Sequence, residues 1–112
     1  MKLTKKEQTA VLKTIAHWTR MIQWAKKQPE TGRVSRWRME RKIKESWYAD
    51  DCDLCALADS CCRHCILWRI PGDKNCATYG SPWRTVAAQL TWGPWVRAAM
   101  VMKRMLKGLL KP

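Results

Sequence analysis

Five of the six cysteines in this 112-residue chain fall between Cys52 and Cys65, in the stretch CDLCALADSCCRHC. Cys52-x-x-Cys55 and Cys62-x-x-Cys65 are two thiol pairs separated by six residues. A C-x-x-C turn aims both sulfurs at one ion while backbone amides soften the thiolate charge. Two such turns close a tetrahedral site with Zn–S distances of about 2.3 Å. The expected cofactor is therefore a structural Zn²⁺ held by Cys52, Cys55, Cys62 and Cys65, with Arg63 and Lys74 nearby to balance the thiolate charge. Cys76 competes for a ligand place, because the turn GDKNC brings the chain back towards the knot. Cys61 adjoins Cys62, so the two side chains do not reach the same ion, and it reads as a small buried hydrophobe. His64, between two ligands, reads as outward-pointing, and His17, on an apolar helix face, as a core histidine with a partner.

Other chemistries fit this spacing less well. A disulfide knot suits an exported chain, but the N-terminal MKLTKKEQTA is not followed by an apolar segment of signal-peptide length. Thiols in a reducing compartment favour metal over disulfides. Covalent haem attachment needs Cys-x-x-Cys-His, and Ile66 follows Cys65. An iron–sulfur cluster also takes about four thiolates and is compatible with the spacing. Redox catalysis from one C-x-x-C would leave the second pair without a purpose. A zinc nuclease needs further histidines and carboxylates around an open metal position, and the two histidines stand far apart. No catalytic residue and no small-molecule substrate is expected, and the protein reads as non-enzymatic. In a single small domain spanning 1–112, zinc would supply folding free energy that a limited core lacks.

Charge points to the partner. Lys and Arg number 22 against 9 Asp and Glu, a formal charge of +13. Residues 1–48 carry 13 basic and 4 acidic side chains, residues 49–76 carry 3 and 5, and residues 77–112 carry 6 and none. Two basic flanks thus bracket a mildly acidic cysteine segment. Such flanks favour polyanions: nucleic acid, an acidic host protein surface or an anionic membrane. No run approaches the roughly 20 apolar residues that span a bilayer, and membrane association is not expected. There are 8 tryptophans and no phenylalanine. Most sit at helical spacing and should be core, but Trp37 lies among arginines in SRWRMER, where an indole can stack on a base or anchor an interface. The predicted contact residues are Arg36, Trp37, Arg38 and Arg41, with Trp95, Lys103, Arg104 and Lys107 further along.

The elements that carry these residues read as helices. Thr4 and Glu7 form a capping box that opens a helix over about 4–28. Val11, Ile15, Trp18, Ile22 and Ala25 lay one apolar stripe along it, and His17, Met21 and Trp24 a second beside it. Pro29 and Gly32 end it. A second helix is expected over about 35–48, with Met39, Ile43 and Trp47 on one face and the pairs Glu40–Lys44 and Arg41–Glu45 on the solvent side. Ser81-Pro82 starts a third over about 82–91, which Gly93-Pro94 breaks. The last, over about 95–111, places Trp95, Ala99, Met102, Leu106 and Leu109 on one face. No segment alternates as a strand does. The expected fold is mainly α, a small helical domain stapled by the zinc-binding cysteine segment 51–76, with no substantial sheet.

His17-Trp18, CDLC at 52–55, CRHC at 62–65, Cys76, YGSPW at 79–83 and the closing helix together resemble a group of small cysteine-rich hypothetical proteins of tailed bacteriophages. Ile66 stands where that group often has proline, and the closing helix is basic where theirs is often acidic. The resemblance implies a phage accessory protein acting in the bacterial host cytoplasm, and no reaction. It also implies Cys76 and His17 as alternate metal ligands. The function expected is a zinc-stabilised basic protein that binds nucleic acid or a nucleic-acid-handling host complex. The alternative is a protein-directed inhibitor of a bacterial defence system, anti-CRISPR-like or other, or of host transcription.

Overall fold

The Thr4 hydroxyl accepts from the Glu7 amide at 3.1 Å, and the Glu7 carboxylate accepts from the Thr4 amide at 2.9 Å. This reciprocal pair satisfies amides that have no partner inside a helix, and helix α1, Lys5–Ala25, follows it. The computed structural model describes residues 2–47, 53–57, 65–69 and 80–111. Within them lie α1, α2 (Arg36–Ile43), α3 (Asp53–Leu57), a 3₁₀ turn at Ile66–Arg69, α4 (Pro82–Ala87) and α5 (Trp92–Gly108). The chain is mainly helical. Among the described residues there is no strand, only an isolated antiparallel bridge between Arg33 and Thr91. The radius of gyration, 13.7 Å, is close to the roughly 13 Å of a compact chain of this length.

Both stripes of α1 turn inward. Val11, Trp18, Met21, Ile22 and Ala25 are buried, and Ile15, His17 and Trp24 are half-buried beside them. Helices α2, α3 and α5 all pack against α1, and α4 packs against α5. Trp18 stacks on Trp95 and Trp24 meets Trp92 edge-on, so α1 and α5 run antiparallel. Trp47 completes the centre, 5.8 Å from both Trp18 and Trp95 and 5.2 Å from Trp83 between ring centroids. Aromatic pairs of this kind contribute about 0.5–1.5 kcal/mol each beyond the area they bury. Tryptophan takes the place here that phenylalanine and leucine fill in most cores.

Helix α2 is shorter than its periodicity predicts, ending at Ile43 where the row Met39, Ile43, Trp47 would carry it to about residue 48. Lys44 takes a left-handed conformation with φ of 58° and closes the helix through its amide to the Glu40 carbonyl at 2.8 Å. The Glu40 carboxylate then accepts from the Trp47 amide at 2.9 Å. A non-glycine residue in that region costs about 1–2 kcal/mol. Turning the chain there brings Trp47 into the tryptophan cluster, and that burial outweighs the cost. The expected solvent pairs Glu40–Lys44 and Arg41–Glu45 accordingly give way to other partners.

Helix α5 begins at Trp92, so Gly93-Pro94 forms its first turn and does not break the chain before it. First-turn amides have no acceptor within a helix. The Trp92 amide donates to the Gly32 carbonyl at 3.0 Å and the Gly93 amide to that of Glu30 at 2.9 Å, while Pro94 has no amide to satisfy. Gly93 lies close to the Glu30 side chain, and a Cβ there would stand 2.8 Å from Glu30 Oε1, so that this exposed carboxylate would have to move aside. The Val34 amide donates to the Leu90 carbonyl at 2.9 Å, extending the same clamp. Residues 88–91 are thereby held against this connection and lie outside α4, which ends at Ala87. Ser81 caps α4 as expected, its hydroxyl accepting from the Arg84 amide at 3.3 Å.

Candidate nucleic-acid interface

Met39 is fully buried and decides which way α2 faces. Trp37, two residues earlier, lies about 200° around the helix from it and turns outward. Trp37 is 65 % exposed. Arg38, Arg41 and Lys42 are exposed on the same outer surface. Trp37 and Arg41 stand one turn apart, and the Arg41 guanidinium lies over the indole, 4.5 Å from the ring centroid. The result is an indole flanked by Arg38 and Arg41, with Lys42 further round the helix.

The other predicted contact residues divide. Arg36 does not belong to this surface: it is half-buried, its guanidinium lies over the Trp47 ring at 5.3 Å, and its Nη2 donates to the Ala87 carbonyl. It joins α2 to α4. Trp95 is likewise a correction. It is completely buried among Trp18, Trp47 and Trp92, because it heads the apolar stripe it shares with Ala99, Met102 and Leu106, all of them buried. It presents nothing to a partner. On α5, Arg104 and Lys107 are exposed and Lys103 is half-buried. Arg97, Met100 and Val101 share the exposed face with them, and Lys111 follows in the turn beyond.

A basic row on α1 was missing from the predicted contact set. Lys6, Lys13 and Arg20 are exposed on α1 and Lys27 in the turn after it, each seven residues from the last. Seven residues make two turns less about 20°, so the three on α1 form a nearly straight line with steps of about 10.5 Å, and Lys27 follows beyond the helix end. Arg97, Arg104 and Lys111 repeat that spacing at α5. The signal was legible as a seven-residue charge period, hidden by the stronger apolar periodicity of the same helices. Lys5, Lys6 and Lys13 also rim an open groove of about 480 Å³ between α1 and α3, floored by Ala10, Ala56 and Leu57 with Asp53 at its edge.

Among the described residues the four glutamates are all engaged. Glu7 caps α1, Glu30 accepts from Arg97 Nη1 at 3.2 Å, and Glu40 holds the Trp47 amide. Glu45 reaches α1, where it accepts from His17 Nδ1 at 2.6 Å, from Arg20 Nη2 at 3.0 Å and from Arg20 Nε. Partial burial pushes the Glu45 carboxyl up, but the hydrogen bonds and charges of Arg20 and His17 outweigh it and hold it below its ordinary range. The same carboxylate raises Arg20. No salt bridge among the described residues involves Lys6, Lys13 or Lys27.

Of the expected metal ligands, Cys55 is a half-buried free thiol on α3, and Cys65 is half-buried at the start of the 3₁₀ turn. Cys52, Cys62 and Cys76 lie outside the described residues, as do Cys61 and His64. Among the described residues no three potential ligands converge. His17 has its Nδ1 on Glu45, which leaves only Nε2 for any ligand role. No helix among the described residues is long and apolar enough to cross a membrane. Comparison with protein-family models, curated proteins and solved structures finds no match to this chain.

Proposed function

We propose that this protein is a non-enzymatic, zinc-stapled helical module that binds nucleic acid through its phosphates. The observation that carries the reading is the exposed basic row Lys6, Lys13 and Lys27, in which Arg20 is paired with Glu45 and the three lysines have no salt bridge among the described residues. Point charges on flexible stems attract phosphates without reading sequence, so the interaction expected is tolerant of sequence. The zinc would be structural, held by Cys52, Cys55, Cys62 and Cys65, and would tie α3 to the 3₁₀ turn. The resemblance to tailed-phage proteins supports an accessory role in a bacterial cytoplasm. The test is a titration of labelled duplex and single-stranded DNA across a salt series. Affinity should fall by about 0.9 log unit per decade of salt for each duplex phosphate engaged. A Lys6→Gln, Lys13→Gln, Lys27→Gln variant should weaken binding and flatten that slope by up to about three such increments. No binding at low salt eliminates the reading.

A second reading, a protein-directed inhibitor, is favoured by the outer face of α5. Met100 and Val101 are 42 % and 50 % exposed there, bordered by Arg97, Arg104 and Lys107. Apolar residues bordered by cations suit an acidic amphipathic surface better than a phosphate backbone. Met100→Lys with Val101→Lys would strengthen phosphate binding and abolish a protein contact, which separates the two.

A further inference from the structure

We infer that the nucleic acid bound is single-stranded, and that an unpaired base stacks on Trp37. The inference rests on the nucleic-acid reading and adds the form of the ligand. Trp37 is exposed, whereas Trp18, Trp47, Trp92 and Trp95 are buried in the core. A fold that buries indoles so thoroughly leaves this one outside because Met39 and Ile43 set the inward side of α2. Its neighbours are chemically selective. Arg41 covers it and Arg38 follows it in the chain, and the carboxylate of Glu40, the one acid in α2, is occupied by the Trp47 amide.

Arg41 makes the indole a platform. Its guanidinium covers the ring at 4.5 Å, and both side chains are exposed, so a planar base can lie against the indole or slip between indole and guanidinium. Either arrangement is a stack that any base supplies with its face. A duplex cannot supply it, because its base faces are already stacked on one another and its edges lie in grooves. Phosphates flanking the stacked base would meet Arg38 and Arg41. An acidic protein surface would use the cations and leave the ring idle.

The experiment compares fluorescently labelled oligothymidylate with a duplex of equal length and mixed sequence, by anisotropy at one fixed salt. The variants are Trp37→Ala, Trp37→Phe and Arg41→Gln in the full chain, each checked for native far-ultraviolet circular dichroism. The wild type should prefer the single strand. Trp37→Ala should lose about 5- to 150-fold in single-strand affinity with duplex affinity unchanged, and Trp37→Phe should keep most of the preference. Arg41→Gln should weaken both ligands, the single strand more. Equal loss on both ligands in Trp37→Ala, or no loss on either, overturns the inference while the phosphate-binding reading stands. Absence of binding to both ligands by the wild type overturns both.

Discussion

Replacing Trp95 with alanine should come close to unfolding the protein, and replacing Trp37 should not. Trp95 is fully buried and touches three other indoles, at 6.3 Å from Trp18, 5.8 Å from Trp47 and 5.4 Å from Trp92. Truncating a buried Trp costs about 3–5 kcal/mol through lost transfer energy and the cavity left behind. Three aromatic pairs put this site at the upper end, about 4–5 kcal/mol. A domain of this size has about 5–15 kcal/mol in total. With a urea m-value of about 1.5 kcal/mol/M, the unfolding midpoint should fall by about 3 M. Trp37→Ala loses an exposed cation–π contact of about 0.5–1 kcal/mol, which moves the midpoint by no more than about 0.7 M. The assay is urea unfolding followed by far-ultraviolet circular dichroism, because fluorescence would change with the indole removed. Trp95→Phe is the measurable intermediate if Trp95→Ala shows no cooperative transition. It retains a ring and removes Nε1, which has no acceptor among the described residues. Equal shifts for Trp95→Ala and Trp37→Ala would refute the assignment of the tryptophan cluster as the core.

Two further outcomes follow from the ion triad and the thiols. Glu45 has its folded-state pKa depressed by Arg20 and His17, so its contribution is present above the unfolded value of about 4.3 and is lost as pH falls through the lower folded value. Glu45→Gln should therefore lower the melting temperature at neutral pH, and the gap from wild type should close on acidification. A constant gap across that window would count against the triad. Purified protein should carry zinc, and chelation should lower its stability. Cys55→Ser and Cys65→Ser should each lose the metal while Cys61→Ser keeps it. Elemental analysis finding no metal, or iron with a visible charge-transfer band, would sink the zinc assignment.

The helices that pack on themselves by local pattern were legible in the chain. The capping box at Thr4 and Glu7, the inward stripes of α1, the Ser81-Pro82 start of α4 and the apolar face of α5 all follow from period and cap chemistry. These are interactions between residues a few positions apart, and spacing records them directly. What went unread depends on distant partners. Gly93-Pro94 looks like a break until the carbonyls of Glu30 and Gly32 arrive to accept the first-turn amides. Trp47 looks like the next residue in a helical row until the cluster around Trp18 and Trp95 offers it more burial than the helix can. Arg36 looked available to a partner because composition counts charges without saying what they face, and Trp95 looked like a contact although the period of its helix already set it on the apolar face. Arg36 instead covers Trp47, and Trp95 lies at the centre of the core. The same tertiary choice leaves Trp37 outside, since one side of a short helix can be buried only by exposing the other. Residue type and spacing therefore determined which chemistries this chain can support, a thiolate site and a polyanion surface. Only the packing of α1, α2 and α5 decided which arginines and which indole remain free to meet a ligand, because burial is a property of long-range contacts that no local period encodes.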